Sequence, residues 1–267
     1  VTGVGEAERR ELVRQRVQLS GSASVAELSR EFGVSAVTMR RDLDELQRRG
    51  VLTRIHGGAV RTETNDEGSF SYRLHDSVDA KRDIAARAAR LVHNGDSVCL
   101  DSSTTSHYLA GEILRLRDLF IITNSLPTAN LFLDNSSATV YLTGGVIRRP
   151  SRATITASAH PGLHSMVDLG FFGLNGLSIE NGPLEVSLEE AESKRQLALL
   201  CRRAYLLADA AKFSSVGLHP WMPASRVSGI FTDVDVEELA PWRAAGVRID
   251  TAESARHRKQ VVPSSQS

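Results

Sequence analysis

Val98-Cys99-Leu100 runs straight into Asp101, Ser102, Ser103, Thr104 and Thr105, placing one carboxylate and four hydroxyls between an apolar run and a helix. That pattern suits an oxyanion. The first turn of a helix has backbone N–H groups without acceptors and carries the positive end of the helix dipole, and nearby hydroxyls add donors. A phosphate ester needs that combination, with Asp101 accepting from a sugar hydroxyl or orienting the loop. The same residues also read as plain helix capping by Ser103 or Thr104.

Three more pairs follow apolar runs: Asn124–Ser125 after "FIIT", Gly144–Gly145 after "VYLT" and Asn175–Gly176 after "DLGFFG". Each pair alone reads as a turn, but their repeated placement after strands points to one pocket. The glycines would let backbone approach a ligand closely. Glu190 and Lys194 lie one helical turn apart and face the same way, as an ordinary surface pair or as ligand-facing groups. Asp209 and Lys212 close the run "YLLAD", where Lys212 suits a phosphate or a ring hydroxyl. Arg148 and Arg149 fit a phosphate contact or a solvated surface. His93 and His107 read as surface or loop residues.

A second constellation lies near the N-terminus. In "SVAELSREF", Ser24 and Glu27 are spaced as a capping box, and Val25, Leu28 and Phe32 share one helical face. Gly33 suits a left-handed turn. Ser35 can cap the next helix, "AVTMRRDLDELQRR", whose Ala36, Met39, Leu43 and Leu46 form one buried stripe. Gly50 ends it. "VLTRIHGGAV" then alternates apolar and polar residues around Gly57–Gly58, as a small hairpin does. Two helices joined through a Gly turn and followed by a hairpin make a winged helix-turn-helix, whose second helix enters the major groove of DNA. Ser35, Val37, Thr38, Arg40 and Arg41 face away from the stripe. Arg suits that place because its planar fork binds guanine O6 and N7 together, or a phosphate. Arg54, His56 and the amides of Gly57 and Gly58 would meet the sugar-phosphate chain. The competing reading is an interaction domain whose Arg side chains pair with Asp42, Asp44 and Glu45.

The elements that must position the first constellation begin near residue 79. Asp79–Val92 reads as a helix. From about residue 97, "SVCL", "LFIIT", "TVYLTG", "DLGFFG", "AYLLAD", "SGIFT" and "VRID" alternate with helices such as 105–115, 126–133 and 188–201. Such alternation predicts an α/β domain with a mostly parallel sheet. The expected organisation is a DNA-binding domain over 1–61, a linker over 62–78, an α/β domain over 79–252 and a disordered tail over 253–267.

The 267 residues are 41% hydrophobic and 24% charged, as in a globular protein, and the formal net charge is zero. Residues 1–61 hold eleven Arg, no Lys and eight acids, so a net charge of +3 sits at the DNA-facing end. No signal peptide and no membrane-spanning run are visible, which predicts a cytoplasmic protein. Cys99 and Cys201 stand in no metal-binding spacing, and Cys99 reads as a small buried hydrophobe. No metal site, cofactor motif or Ser-His-Asp ordering stands out, and no catalytic residue is assigned.

"TMRRDLDELQRRGVLTRIHGGAV" resembles the DNA-binding region of DeoR-family bacterial transcription regulators, in which Arg-Arg-Asp-Leu, a Gly before the wing and His-Gly-Gly-Ala follow in this order. Here they are Arg40–Leu43, Gly50 and His56–Ala59. "LDSSTT", "ITNSL", "LTGG", "FFGLNG", "EEAESK" and "ADAAKF" continue the resemblance through the C-terminal sensor domain of that family. The resemblance implies a fold similar to ribose-5-phosphate isomerase and CoA transferases, and a response to phosphorylated sugars or related metabolites. It also implies a ligand-facing role for Glu190 and Lys194. The family often has Gly where Ser102 and Ser103 stand.

Two functions follow. The favoured one is a repressor of a carbohydrate-metabolism operon, released from operator DNA by a phosphorylated sugar or polyol and acting as a homo-oligomer, a dimer or higher. The alternative is an isomerase-like or CoA-transferase-like enzyme with a DNA-binding head. Isomerisation needs a positioned base, for which Glu190, Asp101 or Lys212 are the candidates. The isomerases carry two Asp around Gly-Ala where this chain has "FGLNGL", without a carboxylate, and this favours binding without turnover.

Overall fold

The computed structural model describes residues 5–48, 51–55, 57–60, 69–156, 167–213 and 217–252. Gly50, His56, residues 61–68 of the linker region and the 253–267 tail lie outside the described residues. The chain divides into two compact units, Val1–Arg73 and Leu74–Ser267.

The first unit runs α1 (Glu6–Ser20), β1 (Ser22–Ser24), α2 (Val25–Phe32), α3 (Ala36–Arg48), β2 (Thr53–Ile55) and β3 (Gly58–Val60). Ser24 and Glu27 form the capping box: Ser24 Oγ accepts from Glu27 N at 3.1 Å and Glu27 Oε2 accepts from Ser24 N at 2.8 Å. Gly33 ends α2 in the left-handed region at φ 66°. Ser35 Oγ accepts from Thr38 N at 3.1 Å and opens α3. Leu28, Met39, Leu43 and Leu46 meet Val13 and Val17 of α1 in one core. The hairpin β2–β3 has a third strand that the sequence pattern did not announce, because β1 pairs antiparallel with β3. A Cβ on Gly58 would lie 2.5 Å from the Ala23 carbonyl oxygen, so that close pairing requires the glycine.

The short helix α4 (Phe70–His75) stands at the sequence boundary between the units. The second unit continues with α5 (Val78–Ala88), β4 (Ser97–Leu100), α6 (Thr104–Ile113), β5 (Phe120–Thr123), α7 (Leu126–Asn135), β6 (Thr139–Leu142), β7 (Val146–Arg148) and β8 (Ala153–Ile155). After these come β9 (Val167–Gly173), β10 (Gly176–Ser178), β11 (Gly182–Glu185), α8 (Leu188–Leu200), β12 (Cys201–Ala208), β13 (His219–Pro220), β14 (Val227–Thr232), α9 (Ala240–Ala244) and β15 (Arg248–Thr251). The seven apolar runs read from the sequence all fall in one sheet, ordered β15-β14-β12-β9-β4-β5-β6 and parallel at every pairing.

A parallel sheet must be covered on both faces, which is why its inner strands are mostly apolar and buried. Val98, Leu100, Leu169 and Phe171 face α5, α6 and α7 through Ile84, Leu109, Ile113 and Phe132. Cys99, Phe172, Leu206 and Ile230 face α8 and α9 through Ala191, Leu197 and Trp242. Gly170 lies opposite Cys99 in the ladder, and a Cβ there would be 2.5 Å from Cys201 Sγ and 2.6 Å from the Phe172 ring, so the buried Cys201 thiol and that ring pack over the missing side chain. The chain enters the sheet at β4, builds outward to β6, then returns to β9 and builds the other way. That reversal makes the carboxyl ends of β4 and β9 a topological switch point, the place where open α/β sheets bind ligands. No helix among the described residues is long and apolar enough to cross a membrane.

Candidate functional site

The seam between β4 and β9 is fastened at both ends. At the amino ends, Asp168 Oδ2 accepts from Ser97 Oγ at 2.6 Å and from Ser97 N at 3.1 Å. The Ser97 hydroxyl, then its amide, lower the pKa of Asp168. At the carboxyl ends, five donors converge on buried Asp101. Its Oδ1 accepts from Ser103 N at 3.1 Å, Ser103 Oγ at 2.7 Å and Ser106 Oγ at 2.6 Å. Its Oδ2 accepts from Gly173 N at 3.0 Å and lies 2.9 Å from Lys194 Nζ. Of the two roles the sequence allows Asp101, this geometry serves orientation of the loop. A Cβ on Gly173 would come within 2.4 Å of Ser103 Cβ, so glycine lets β9 end against that loop.

Lys194 is the centre of the site. Burial opposes its charge, but Asp101 and Glu185 outweigh that and raise its pKa above the ordinary lysine value. Lys194 Nζ donates to Glu185 Oε1 and to the Gly173 carbonyl, the latter at 2.7 Å, and lies 5.7 Å from the Trp221 ring centroid. Lys194 therefore does not pair with Glu190, as the helical spacing suggested. Glu190 instead meets Arg148 of β7 at 3.4 Å. Sequence reasoning passed over Glu185, because a single carboxylate in "PLEV" on a short strand reads as solvated. Asn175 Nδ2 donates to Glu185 Oε2 at 2.7 Å, and Asn175 Oδ1 accepts from Lys212 Nζ at 3.0 Å. An unbroken polar chain thus runs from Asp101 through Lys194, Glu185 and Asn175 to Lys212.

Around this chain stand groups with unused capacity. Ser103 Oγ caps α6 by accepting from Ser106 N at 3.1 Å, as the capping reading has it. Ser102, Thr104 and Thr105 are buried residues whose hydroxyls make no hydrogen bond among the described residues. The Thr104 and Thr105 amides likewise have no acceptor there. Asn124 is buried with its Oδ1 unpartnered, while its Nδ2 reaches the Thr154 carbonyl at 3.4 Å and Ser193 Oγ at 3.5 Å. The Thr154 carbonyl fixes that amide orientation, since the flipped form would oppose two oxygens. Ser193 is a further site residue that sequence reasoning missed.

The remaining candidates have more local duties. Ser125 caps α7 by accepting from Thr128 N at 3.3 Å. Gly145, at φ 130°, is required by the Ile155 carbonyl, 2.2 Å from where its Cβ would stand, so its small size serves the β7–β8 hairpin, whereas Gly144 faces open space. Gly176 is buried and pairs with Leu184 across β10 and β11. Asp209 is buried, which raises its pKa against the pull of Lys212 and Lys81. Lys81, buried on α5 and unremarked in the sequence, lies 4.0 Å from Asp209 Oδ2. Arg149 is exposed. Burial lowers the pKa of His107, whose Nδ1 meets Thr128 Oγ1 at 3.2 Å.

In the first unit, Ser35, Val37, Arg40 and Arg41 are exposed along α3 and Thr38 is half-buried. The competing reading paired these Arg with acids on their own helix. Instead, buried Asp42 accepts from Arg9 Nε at 2.7 Å and Arg10 Nε at 2.8 Å, both from α1. Arg40 and Arg41 make no ion pair among the described residues. Arg54 behaves differently: its Nη1 donates to the Arg40 carbonyl at 3.1 Å and to Asp44 Oδ1 at 2.9 Å. Gly57 is exposed at φ 84°, and Gly58 is buried.

Residues 9–65 match the DeoR-like helix-turn-helix domain, and residues 76–234 match the DeoR C-terminal sensor domain. The chain is 35% identical over 228 residues to the L-fucose operon activator of Haemophilus influenzae, covering 84% of this chain and 91% of that protein. It is 28% identical over 229 residues to the glycerol-3-phosphate regulon repressor of Escherichia coli K12, covering 85% and 91%. Among solved structures it is similar to ribose 5-phosphate isomerase A from Methanocaldococcus jannaschii, at 16% identity and a TM-score of 0.39 over 52% of this chain and 55% of that one.

Proposed function

Because this chain belongs to the DeoR family of transcriptional regulators and is a DNA-binding regulator, we propose that it represses a carbohydrate operon until a phosphorylated sugar or polyol releases it. The observation that carries the effector class is the amino end of α6. There the Thr104 and Thr105 amides and the Ser102, Thr104 and Thr105 hydroxyls lie unengaged beyond the carboxyl end of β4, beside the topological switch. Such an arrangement favours a tetrahedral anion. Lys212 supplies positive charge, and Asn124 Oδ1 accepts from a ligand hydroxyl. The names of two relatives, a fucose operon activator and a glycerol-3-phosphate regulon repressor, agree with a sugar-derived or polyol-derived signal. They differ in the sign of regulation, and we assign repression.

On the DNA side, α3 enters the major groove and presents Ser35, Val37, Thr38, Arg40 and Arg41, with Gly57 and Gly58 along the backbone. His56, outside the described residues, is assigned a backbone contact from the sequence alone. The protein works as a homo-oligomer on paired half-sites in the cytoplasm. It binds its effector without turnover: Asp101 and Glu185 are both engaged by Lys194, Glu190 by Arg148, and "FGLNGL" supplies no carboxylate base.

The test is a thermal-shift screen of sugar and polyol phosphates, followed by release from an operator selected from random duplexes. A binder raises the melting temperature by mass action. Arg40→Ala or Arg41→Ala is expected to weaken operator binding by about 1–3 kcal/mol and leave effector binding intact. Thr104→Ala and Lys212→Ala are expected to do the reverse. Unchanged operator affinity in both Arg variants rejects the assignment of α3, and an unchanged effector response in both others rejects the pocket.

A further inference from the structure

The polar chain behind the site contains a buried carboxylate that bridges two of its members. Glu185 is 2% exposed at the end of β11. Its two carboxylate oxygens do different things: Oε1 takes the Lys194 ammonium, and Oε2 takes the Asn175 amide at 2.7 Å. With its N–H drawn to Glu185, Asn175 must turn its carbonyl oxygen the other way, and that oxygen receives Lys212 Nζ at 3.0 Å. The reversed amide would set a carbonyl against a carboxylate and an NH2 against an ammonium, so both ends of the chain select the same orientation. Asp101 and Glu185 also bring two carboxylates to the single buried ammonium of Lys194, and the excess negative charge favours a cation at the far end of the amide.

We propose that Glu185 is a positioning residue for effector recognition, holding the Lys212 ammonium in place through Asn175. This rests on the reading of Lys212 as an effector contact. Glu185 touches no ligand. It fixes an amide, and the amide oxygen holds one contact of the Lys212 ammonium at 3.0 Å. A lysine held in advance loses less side-chain freedom on meeting an anion, so affinity depends on a residue two hydrogen bonds away.

Glu185→Gln is the informative substitution. It keeps the size of the side chain, but an amide has one acceptor oxygen where the carboxylate has two, so it cannot serve Lys194 and Asn175 together. Asn175→Leu cuts the chain one link later and leaves the Glu185–Lys194 pair intact. The probe is inorganic phosphate, titrated against the full chain and read by calorimetry and thermal shift. Operator affinity without phosphate serves as the check on folding.

Either variant is expected to weaken phosphate binding about tenfold in the wild-type background and to have no further effect beside Lys212→Arg, because interacting groups are not additive. An equal loss in both backgrounds assigns Glu185 a purely structural role and overturns the proposal. A spectroscopic readout covers the case in which binding becomes too weak to measure. The chain has only four lysines, 81, 194, 212 and 259, so a 15N-lysine ammonium spectrum is simple to assign by substitution. The Lys212 signal is expected to shift or broaden in Glu185→Gln and in Asn175→Leu. A Lys212 signal that matches wild type in both variants overturns the proposal. If phosphate fails to bind the wild type, or binds Lys212→Ala as well as wild type, the effector reading of Lys212 falls first. If only Lys212→Ala loses binding, that reading stands and Glu185 is no positioning residue.

Discussion

A buried lysine keeps its charge only against carboxylates, and Lys194 has two of them. Replacing it with Met fills much the same volume but leaves Asp101 and Glu185 without their shared cation. Lys194→Met is therefore expected to cost about 3–5 kcal/mol in urea unfolding, the usual scale for stranding a buried charge. A loss below about 1 kcal/mol would show that one carboxylate simply takes up a proton. Only part of this cluster was legible in the sequence. Asp101 stood out because it opens a run of hydroxyls. Lys194 stood out for its spacing from Glu190, which led to the wrong partner: side chains four apart share a face, but tertiary neighbours draw them elsewhere, here to Arg148 and to Asp101. Glu185 gave no signal, since a strand of four residues containing Gly and Pro has too little period to tell an inward carboxylate from an outward one.

At the scale of elements, two contacts make separable predictions. Arg54 of β2 is held against α3 by Asp44 and by the Arg40 carbonyl. If it braces the wing, Arg54→Ala lowers operator affinity without changing the salt dependence. If it reaches a phosphate, the slope of log K against log salt falls by about 1. Operator titrations at several salt concentrations decide between them, and the bonds to α3 favour an unchanged slope. The second contact fastens β4 to β9. The Ser97 hydroxyl and amide lower the pKa of Asp168, so its folded value lies below its unfolded one. The stabilisation is fully present above the unfolded pKa and is lost as pH falls through the folded one. Asp168→Asn is expected to be less stable than wild type near neutral pH, with the gap closing below the ordinary carboxylate value of 3.8. A constant gap in denaturation midpoints across that range rejects the assignment. All seven strands of the main sheet were legible: the inner ones are apolar and buried, and the edge strands β6 and β15, though partly exposed, keep the alternation with helices. The strands β7, β8, β10, β11 and β13 were not, because two to four residues, most of them interrupted by Gly, Arg or Pro, are too few to show a hydrophobic period.

For the whole molecule, the two matched domains make a thermodynamic statement. If an effector lowers operator affinity by some factor, operator DNA must lower effector affinity by the same factor. Titrating the best ligand with and without saturating operator is expected to give two dissociation constants whose ratio equals the effector-induced change in operator affinity. Unequal ratios would mean that the two sites are not linked through one equilibrium. The sequence disclosed the two parts through a capping box, a Gly turn and an alternation of strands and helices, which are all local signals. It did not disclose which polar groups were already committed, since that depends on pairings across a sheet whose neighbours lie up to 72 residues apart, as Asp101 and Gly173 do.

The division between committed and uncommitted groups bears on how the proposed effector site could change its ligand over generations. Asp101, Lys194 and Glu185 hold one another, so losing Lys194 strands two carboxylates, and losing either carboxylate takes an acceptor from the buried donors around it. Ser102, Thr104, Thr105 and Asn124 each have capacity that no neighbour among the described residues uses, and each can be exchanged singly without breaking a bond of that cluster. New specificities in this scaffold should therefore arise by single steps around the rim of the site while its charged floor stays fixed.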